Sequence, residues 1–291
     1  MKYKPLENKS ALNRISKKEL PYKWDLNIYR GCYHRCIYCF AIYTHDYIGK
    51  DSFYDTIYYK KNILTALEKE LSSPNWKREI VNIGGVTDSY QPVEAKLKIM
   101  PEVLKLMIKY KTPIIISTKS SLILRDIVLI KELASITYVN IACTITTLDD
   151  EISSWIEPGA SLPMHRFHTL KKIKEETNAY VGLHLMPIIP YLTDDDKNLD
   201  TIYHLAGDIG VDYVLPGTLY LRGKTRTTFF NALKNKDIDL YYTLLDVYKQ
   251  RLSTEYKTAL YTRINAYKKK YNVTSNYSQN ISNHLKKEEK L

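Results

Sequence analysis

Short apolar runs rich in Val and Ile alternate along the chain with longer stretches in which apolar residues recur every three or four positions. The runs Leu26–Tyr29, Ile80–Ile83, Pro113–Ser117, Tyr138–Ile145, Tyr180–Met186 and Asp212–Leu215 predict strands. Between them, Ile63–Leu71, Glu94–Tyr110, Leu124–Ala134, Met164–Thr177 and Leu199–Ile209 predict helices, the last followed by Gly210 at a C′ position. Apolar strands joined by helical crossovers imply a parallel α/β architecture. Six such units, with no Gly-x-Gly-x-x-Gly after the first strand, favour a partial (β/α)6 barrel over a dinucleotide-binding sheet. After Gly223 the pattern is helical only, notably over Asp239–Tyr271, and Asn272–Leu291 is polar. The expected organisation is an N-terminal extension (1–31) leading into the first strand, a core barrel (32–222), a helical C-terminal extension (223–271) and a disordered polar tail (272–291).

The 291-residue length suffices for a sizeable core, and 44% hydrophobic with 26% charged residues is globular composition. No apolar stretch approaches the roughly 18 residues of a membrane span, and the N-terminus lacks the apolar segment of a secretory signal. A cytoplasmic protein without membrane attachment is expected. The net charge of +11 sits on the flanks. Residues 1–31 carry 8 basic and 3 acidic side chains, residues 223–291 carry 14 and 6, and the middle carries 21 and 23. Basic flanks suit a polyanion, nucleic acid included, although solvated Lys-rich surface looks the same in sequence.

Three of the four cysteines lie in Cys32-Tyr-His-Arg-Cys36-Ile-Tyr-Cys39, behind the first predicted strand. In a reducing compartment such clustering points to metal chemistry rather than disulfides. Thiolates spaced x3 and x2 in a loop can take three corners of an iron–sulfur cube, leaving one iron open to a small molecule. A zinc site completed by His34 or His45 is the rival, although paired zinc-ligand spacings are absent.

This arrangement, with the aromatic Tyr38 before the third cysteine, resembles the radical S-adenosylmethionine (radical SAM) superfamily. Further matches follow in order: Lys9-Ser-Ala-Leu-Asn-Arg14, Asn27-Ile-Tyr-Arg-Gly-Cys32, Thr87-Asp-Ser-Tyr-Gln-Pro-Val-Glu94, Thr118-Lys-Ser120 with Arg125-Asp126, Thr146-Thr-Leu-Asp149 and Glu157-Pro158. Together they resemble the branch related to spore photoproduct lyase, over roughly residues 9–222. The resemblance implies a radical-SAM-type, TIM-like partial barrel and a [4Fe–4S] cluster on Cys32, Cys36 and Cys39. It also implies SAM on the unique iron and a low-potential electron donor of flavodoxin or ferredoxin type. Tyr38 matches the aromatic near the SAM adenine, Gly84-Gly85 a close backbone approach, Thr87 a hydroxyl contact, Lys119 a partner for the SAM carboxylate, and Thr144 an inward Ser. Asp88, Gln91, Glu94, Arg125, Glu157 and Arg166 are further barrel-mouth candidates.

The implied activity is reductive SAM cleavage to a 5′-deoxyadenosyl radical that acts on a substrate, with nucleic acid the leading class. The alternative is a non-catalytic Fe–S or zinc protein that binds nucleic acid. Three positions depart from the spore photoproduct lyase pattern. Gly85 stands where those enzymes carry a hydrogen-donating Cys, Phe40 where they carry a Tyr, and Ile28 where the branch usually has Pro. Strand alternation turns Cys143 away from the interior faced by Asn140, Ala142, Thr144 and Thr146. Thymine-dimer repair is therefore not expected.

Overall fold

A computed structural model describes residues 2–16, 20–49 and 51–288. Its main sheet has seven strands in the order β10-β9-β8-β7-β6-β3-β2. These are β2 (Leu12–Arg14), β3 (Trp24–Leu26), β6 (Val81–Ile83), β7 (Ile114–Thr118), β8 (Val139–Thr144), β9 (Tyr180–Ile188) and β10 (Tyr213–Thr218). Only β2 runs antiparallel; the six others are parallel neighbours. The edge strands β2 and β10 do not pair, so the sheet is an open barrel, and the predicted α/β class with a partial barrel holds. A second sheet, β1-β5-β4, combines β1 (Lys2–Leu6), β4 (Tyr29–Arg30) and β5 (Thr56–Lys60).

Parallel pairing puts partnered residues on one face of the sheet. Leu26, Val81, Ile83, Ile114, Ile116, Ile141, Cys143, Val181, Leu183 and Val214 face outward into the main core, where the crossover helices cover them. Those helices are α1 (Ile63–Leu71), α2 (Glu94–Leu97), α3 (Ile99–Lys109), α4 (Ile127–Ile136), α5 (Asp150–Ile156), α6 (Pro163–Glu176) and α7 (Asp196–Ile209). Gly210 ends α7 in the left-handed conformation, φ 67°. The opposite face carries Asp25, Asn82, Ser117, Asn140, Thr144 and His184 into the barrel interior, as the registers Asp25↔Asn82, Ser117↔Ala142 and Thr144↔His184 require.

Several elements differ from the sequence expectation. The first strand lies at Trp24–Leu26 and the chain leaves the sheet at Asn27, whose side chain accepts from the Val86 amide at 3.0 Å. The stretch Glu94–Tyr110 is two helices, because Lys98 is left-handed (φ 48°) and the buried Glu94 carboxylate accepts from the amides of Ile99 and Met100. The helix expected from Leu124 begins as a 3-10 turn, Ser121–Asp126. Past the barrel come α8 (Gly223–Lys236), α9 (Ile238–Val247), α10 (Thr254–Lys270) and α11 (Tyr277–Glu288). The tail expected to be disordered thus carries α11, anchored by the buried Ile281 against Ile80, Ile115 and Tyr138; its last three residues lie outside the described ones. Among the described residues no helix is long and apolar enough to cross a membrane.

Candidate metal centre

The loop after β4 is tied down on every side. Gly31 has φ 82°, and a Cβ there would lie 2.6 Å from the Thr56 carbonyl, so only glycine fits this turn. The Cys32 amide donates to Phe53 O (3.1 Å), Tyr54 Oη to Cys36 O (2.8 Å), and Thr225 Oγ1 of α8 to Cys39 O (3.0 Å). Cys32 and Cys36 are buried and Cys39 half-buried. The thiols lie close enough to couple electrostatically, and burial pushes those of Cys36 and Cys39 up, the latter to about 12. Such thiols become thiolates when a metal takes the place of the proton. Among the described residues no three His, Cys, Asp or Glu side chains are arranged to hold a single metal ion. His34 is turned to Asp88 at 3.2 Å, and His45 packs edge-on against Phe53 and Tyr58. Three cysteines thus share one pinned loop, and His34, besides facing Asp88, lies against Cys32.

The second and third strand ends close around this loop. Thr87 Oγ1 donates to Gly31 O at 2.7 Å, and Gln91 Nε2 donates to the same carbonyl while its Oε1 accepts from the Tyr33 amide. Asp88 accepts from Thr118 Oγ1, the Lys119 amide and the Tyr90 amide besides facing His34. Burial alone would raise the Asp88 carboxyl, but His34 and these donors hold it low, and Asp88 and Cys32 in turn raise His34. Lys119 stands over the Tyr38 ring, its Nζ 5.7 Å from the centroid. Burial would lower its pKa, but the nearby Cys36, Glu157 and Asp88 raise it and hold the ammonium charged. A half-buried ammonium at a barrel mouth can also receive a ligand carboxylate.

The other expected residues divide in two. Tyr38 donates its hydroxyl to Glu157, and Glu157 pairs with Arg166, both charges buried. Thr144 is buried at the end of β8, its carbonyl accepting from Arg166 Nη1 at 2.8 Å. Glu94 and Arg125 stand apart. Glu94 accepts from Tyr29, two helix amides and Arg125, and Arg125 also binds Asp126, which exhausts them in joining α2, α3 and the 3-10 turn. Both glycines have internal reasons: Gly84 has φ 89°, and a Cβ on Gly85 would meet the Asp25 carboxylate. Cys143 is fully buried in the outer core, as alternation requires, and Phe40 is 63% exposed.

Beyond Asn140 and Thr144, which alternation placed inside, the interior holds residues the sequence did not single out. Asp25 accepts from Asn82 Nδ2 at 2.8 Å, and burial pushes its carboxyl up against the opposing pull of Asn82 and Arg30. Deeper, Tyr213 Oη donates to Asn140 Oδ1 at 3.0 Å and lies 3.4 Å from His184 Nε2. Burial and the Lys119 charge bring His184 down to about 4, so its ring is neutral. The inward face is thus mostly polar, with Ile115 and Ala142 among Asp25, Asn82, Ser117, Asn140, Thr144 and His184. Two-residue alternation places His184 inward on its predicted strand, and would place Asp25 inward on a strand begun at Trp24.

The sequence pattern described as the Radical SAM superfamily matches residues 26–201. An uncharacterized protein of Mycobacterium tuberculosis is 33% identical over 279 residues, covering 92% of this chain and 81% of that one. An uncharacterized protein of Acidianus two-tailed virus is 31% identical over 219 residues, covering 71% and 70%. A spore photoproduct lyase double mutant with bound AdoMet and dinucleoside spore photoproduct has a similar fold, with a TM-score of 0.70 at 12% identity over 92% of this chain and 79% of that one.

Proposed function

Because the chain belongs to the radical SAM superfamily, we propose that it is an enzyme that reductively cleaves SAM at a [4Fe–4S] cluster held by Cys32, Cys36 and Cys39. When bound, the cluster and SAM supply a 5′-deoxyadenosyl radical, with release of methionine, and this radical takes a hydrogen atom from the substrate. In this reading Lys119 binds the SAM carboxylate, the Tyr38 ring flanks the adenine, and Thr87, Gly84, Gly85 and Thr144 line the cofactor's place. The polar chamber behind them, with Asp25, Asn82 and His184, seats the substrate and keeps bulk water from the reacting atoms. The electron comes from a flavodoxin- or ferredoxin-type donor. The barrel, whose sheet includes β2 and β3 from the first 31 residues, is the catalytic body, and the basic terminal stretches, 1–31 and 223–291, hold a nucleic-acid substrate in a cytoplasmic setting.

One observation carries this reading: three cysteines share one pinned loop, and the Lys119 ammonium stands over the Tyr38 ring of that loop. A structural zinc or iron site in a purely binding protein has no use for that ammonium. The test is anaerobic reconstitution, followed by assay for 5′-deoxyadenosine with dithionite and SAM. Iron-loaded protein that yields no 5′-deoxyadenosine would sink the proposal. A spore-photoproduct dinucleotide added to the same mixture should stay unrepaired, because Gly85 and Phe40 carry neither a thiol nor a phenol.

A further inference from the structure

The turn between α5 and α6 contains Glu157-Pro158-Gly159, and the contacts described so far leave its purpose open. It lies flat against the cysteine loop. The Gly159 amide donates to His34 O at 3.0 Å, and the Ile37 amide donates to Ile156 O at 3.0 Å. A Cβ on Gly159 would fall 2.2 Å from the Tyr33 carbonyl and 2.9 Å from the His34 Cα, so the two backbones touch. Ile156 packs with Cys36, Ile37 and Tyr38 in one apolar cluster. The turn also holds the third strand end, the Ser161 amide donating to Lys119 O at 2.9 Å.

A buried ion pair locks this turn. Arg166 reaches back from α6 to Glu157, to Ser161 O (2.6 Å) and to Thr144 O (2.8 Å), with Glu157 and Arg166 2% and 1% exposed. The second oxygen of Glu157 receives the Tyr38 hydroxyl. Burying two charges is a poor way to gain stability, since desolvation offsets the attraction, so such a pair signals a demand for fixed geometry. Glu157 follows Ile156, whose carbonyl binds the Ile37 amide and whose side chain packs on Cys36, so the carboxylate is held next to that cysteine.

We propose that Glu157 is a positioning residue for the metal cluster: locked by Arg166, it holds the cysteine loop through Tyr38 and keeps a negative charge beside Cys36 that lowers the cluster's reduction potential. The inference rests on the reading that these cysteines hold such a cluster. Reduction adds negative charge to the cluster, so a nearby carboxylate opposes it, and the effect is strong in a site shielded from water.

The experiment uses full-length, anaerobically reconstituted protein, with iron content, electron paramagnetic resonance and midpoint potential as readouts. Glu157→Gln keeps the shape and an acceptor for Tyr38 but removes the charge; it should hold iron as the wild type does, at a more positive potential. Gly159→Ala forces the turn off the loop and should lose iron to a chelator severalfold faster than wild type. Its fold is expected to survive, because the main core lies elsewhere. A purely structural Glu157 would leave the potential where it was. An unchanged potential in Glu157→Gln overturns the proposed charge effect, and wild-type iron retention in Gly159→Ala overturns the clamp. If Glu157→Gln fails to fold, Tyr38→Phe replaces it: loss of the anchor should speed iron release, and wild-type release overturns the proposal. Wild-type protein that takes up no iron instead removes the underlying reading.

Discussion

The Asp25 carboxylate fills the space that a side chain on Gly85 would need: a Cβ there would lie 2.7 and 2.9 Å from its two oxygens. Asp25 lies on β3 and Gly85 in the turn just past the neighbouring β6, and Asn82 of β6 fixes the carboxylate with a 2.8 Å hydrogen bond. The missing side chain at position 85 and the acid at position 25 are therefore one feature of the chamber wall.

This pairing predicts a measurable coupling. Gly85→Cys alone should destabilise the fold by about 1–3 kcal/mol, the usual cost of overpacking. In an Asp25→Gly background the same change should cost much less. Denaturant unfolding of the four proteins in a double-mutant cycle gives the answer, and additive effects would show that the two side chains do not compete for space.

The four cysteines should separate cleanly. Replacing Cys32, Cys36 or Cys39 by Ala should abolish retention of the roughly four irons per chain expected of a cubane cluster. Cys143→Ala should retain them, losing only about 1–2 kcal/mol of packing from the outer core. Iron analysis after desalting distinguishes the two behaviours, and loss of iron in Cys143→Ala would contradict the outward orientation of that side chain.

Lys119→Met should preserve iron content and weaken SAM binding about tenfold or more, since a charge-assisted contact is worth roughly 1.5–3 kcal/mol. Calorimetry on reconstituted protein measures it directly. Equal affinity in the two proteins would take Lys119 away from the SAM carboxylate.

His184 should make stability fall in mild acid. Its imidazole resists protonation until about pH 4 in the fold, whereas in the unfolded chain it takes up a proton near the ordinary 6.5. The unfolded state therefore binds the extra proton first, and stability declines as pH drops from about 6.5 to about 4, with no contribution above that window. The ceiling is roughly 3 kcal/mol, and the half-buried ring lowers it to about 1–2. His184→Gln should flatten this part of the pH–stability curve; parallel curves for the two proteins would refute the assignment.

The legible parts of the molecule were those in which one local rule sufficed. The outward faces of β7, β8 and β9 must bury Val, Ile and Leu under helices, and these runs stand out in sequence. Gly210 is visible because a left-handed helix end favours glycine, and the cysteine loop because x3/x2 spacing is rare by chance. What stayed hidden depends on distant partners. Trp24-Asp25-Leu26 is a strand because β6 lies alongside, and the break at Lys98 exists because Glu94 folds back onto two amides. Thr56–Lys60 is a β-branched and aromatic run that suits a strand, but only its partners show that it lies between β1 and β4 in a second sheet. Asp88, Gln91 and Glu94 read alike as acidic or amide residues near a strand end. Only their contacts separate the two that brace the cysteine loop from the one that joins helices.

Helix α11 gives the barrel a stopper. Tyr22, Tyr138, Tyr180 and Tyr213 lie at or just before the beginnings of β3, β8, β9 and β10, and Tyr277 and Ile281 pack among them. Among the described residues this closes the end of the barrel opposite the cysteine loop and Lys119. Removing the last helix would lay bare the apolar side chains of Ile80, Ile115 and Tyr138, which it now keeps from water.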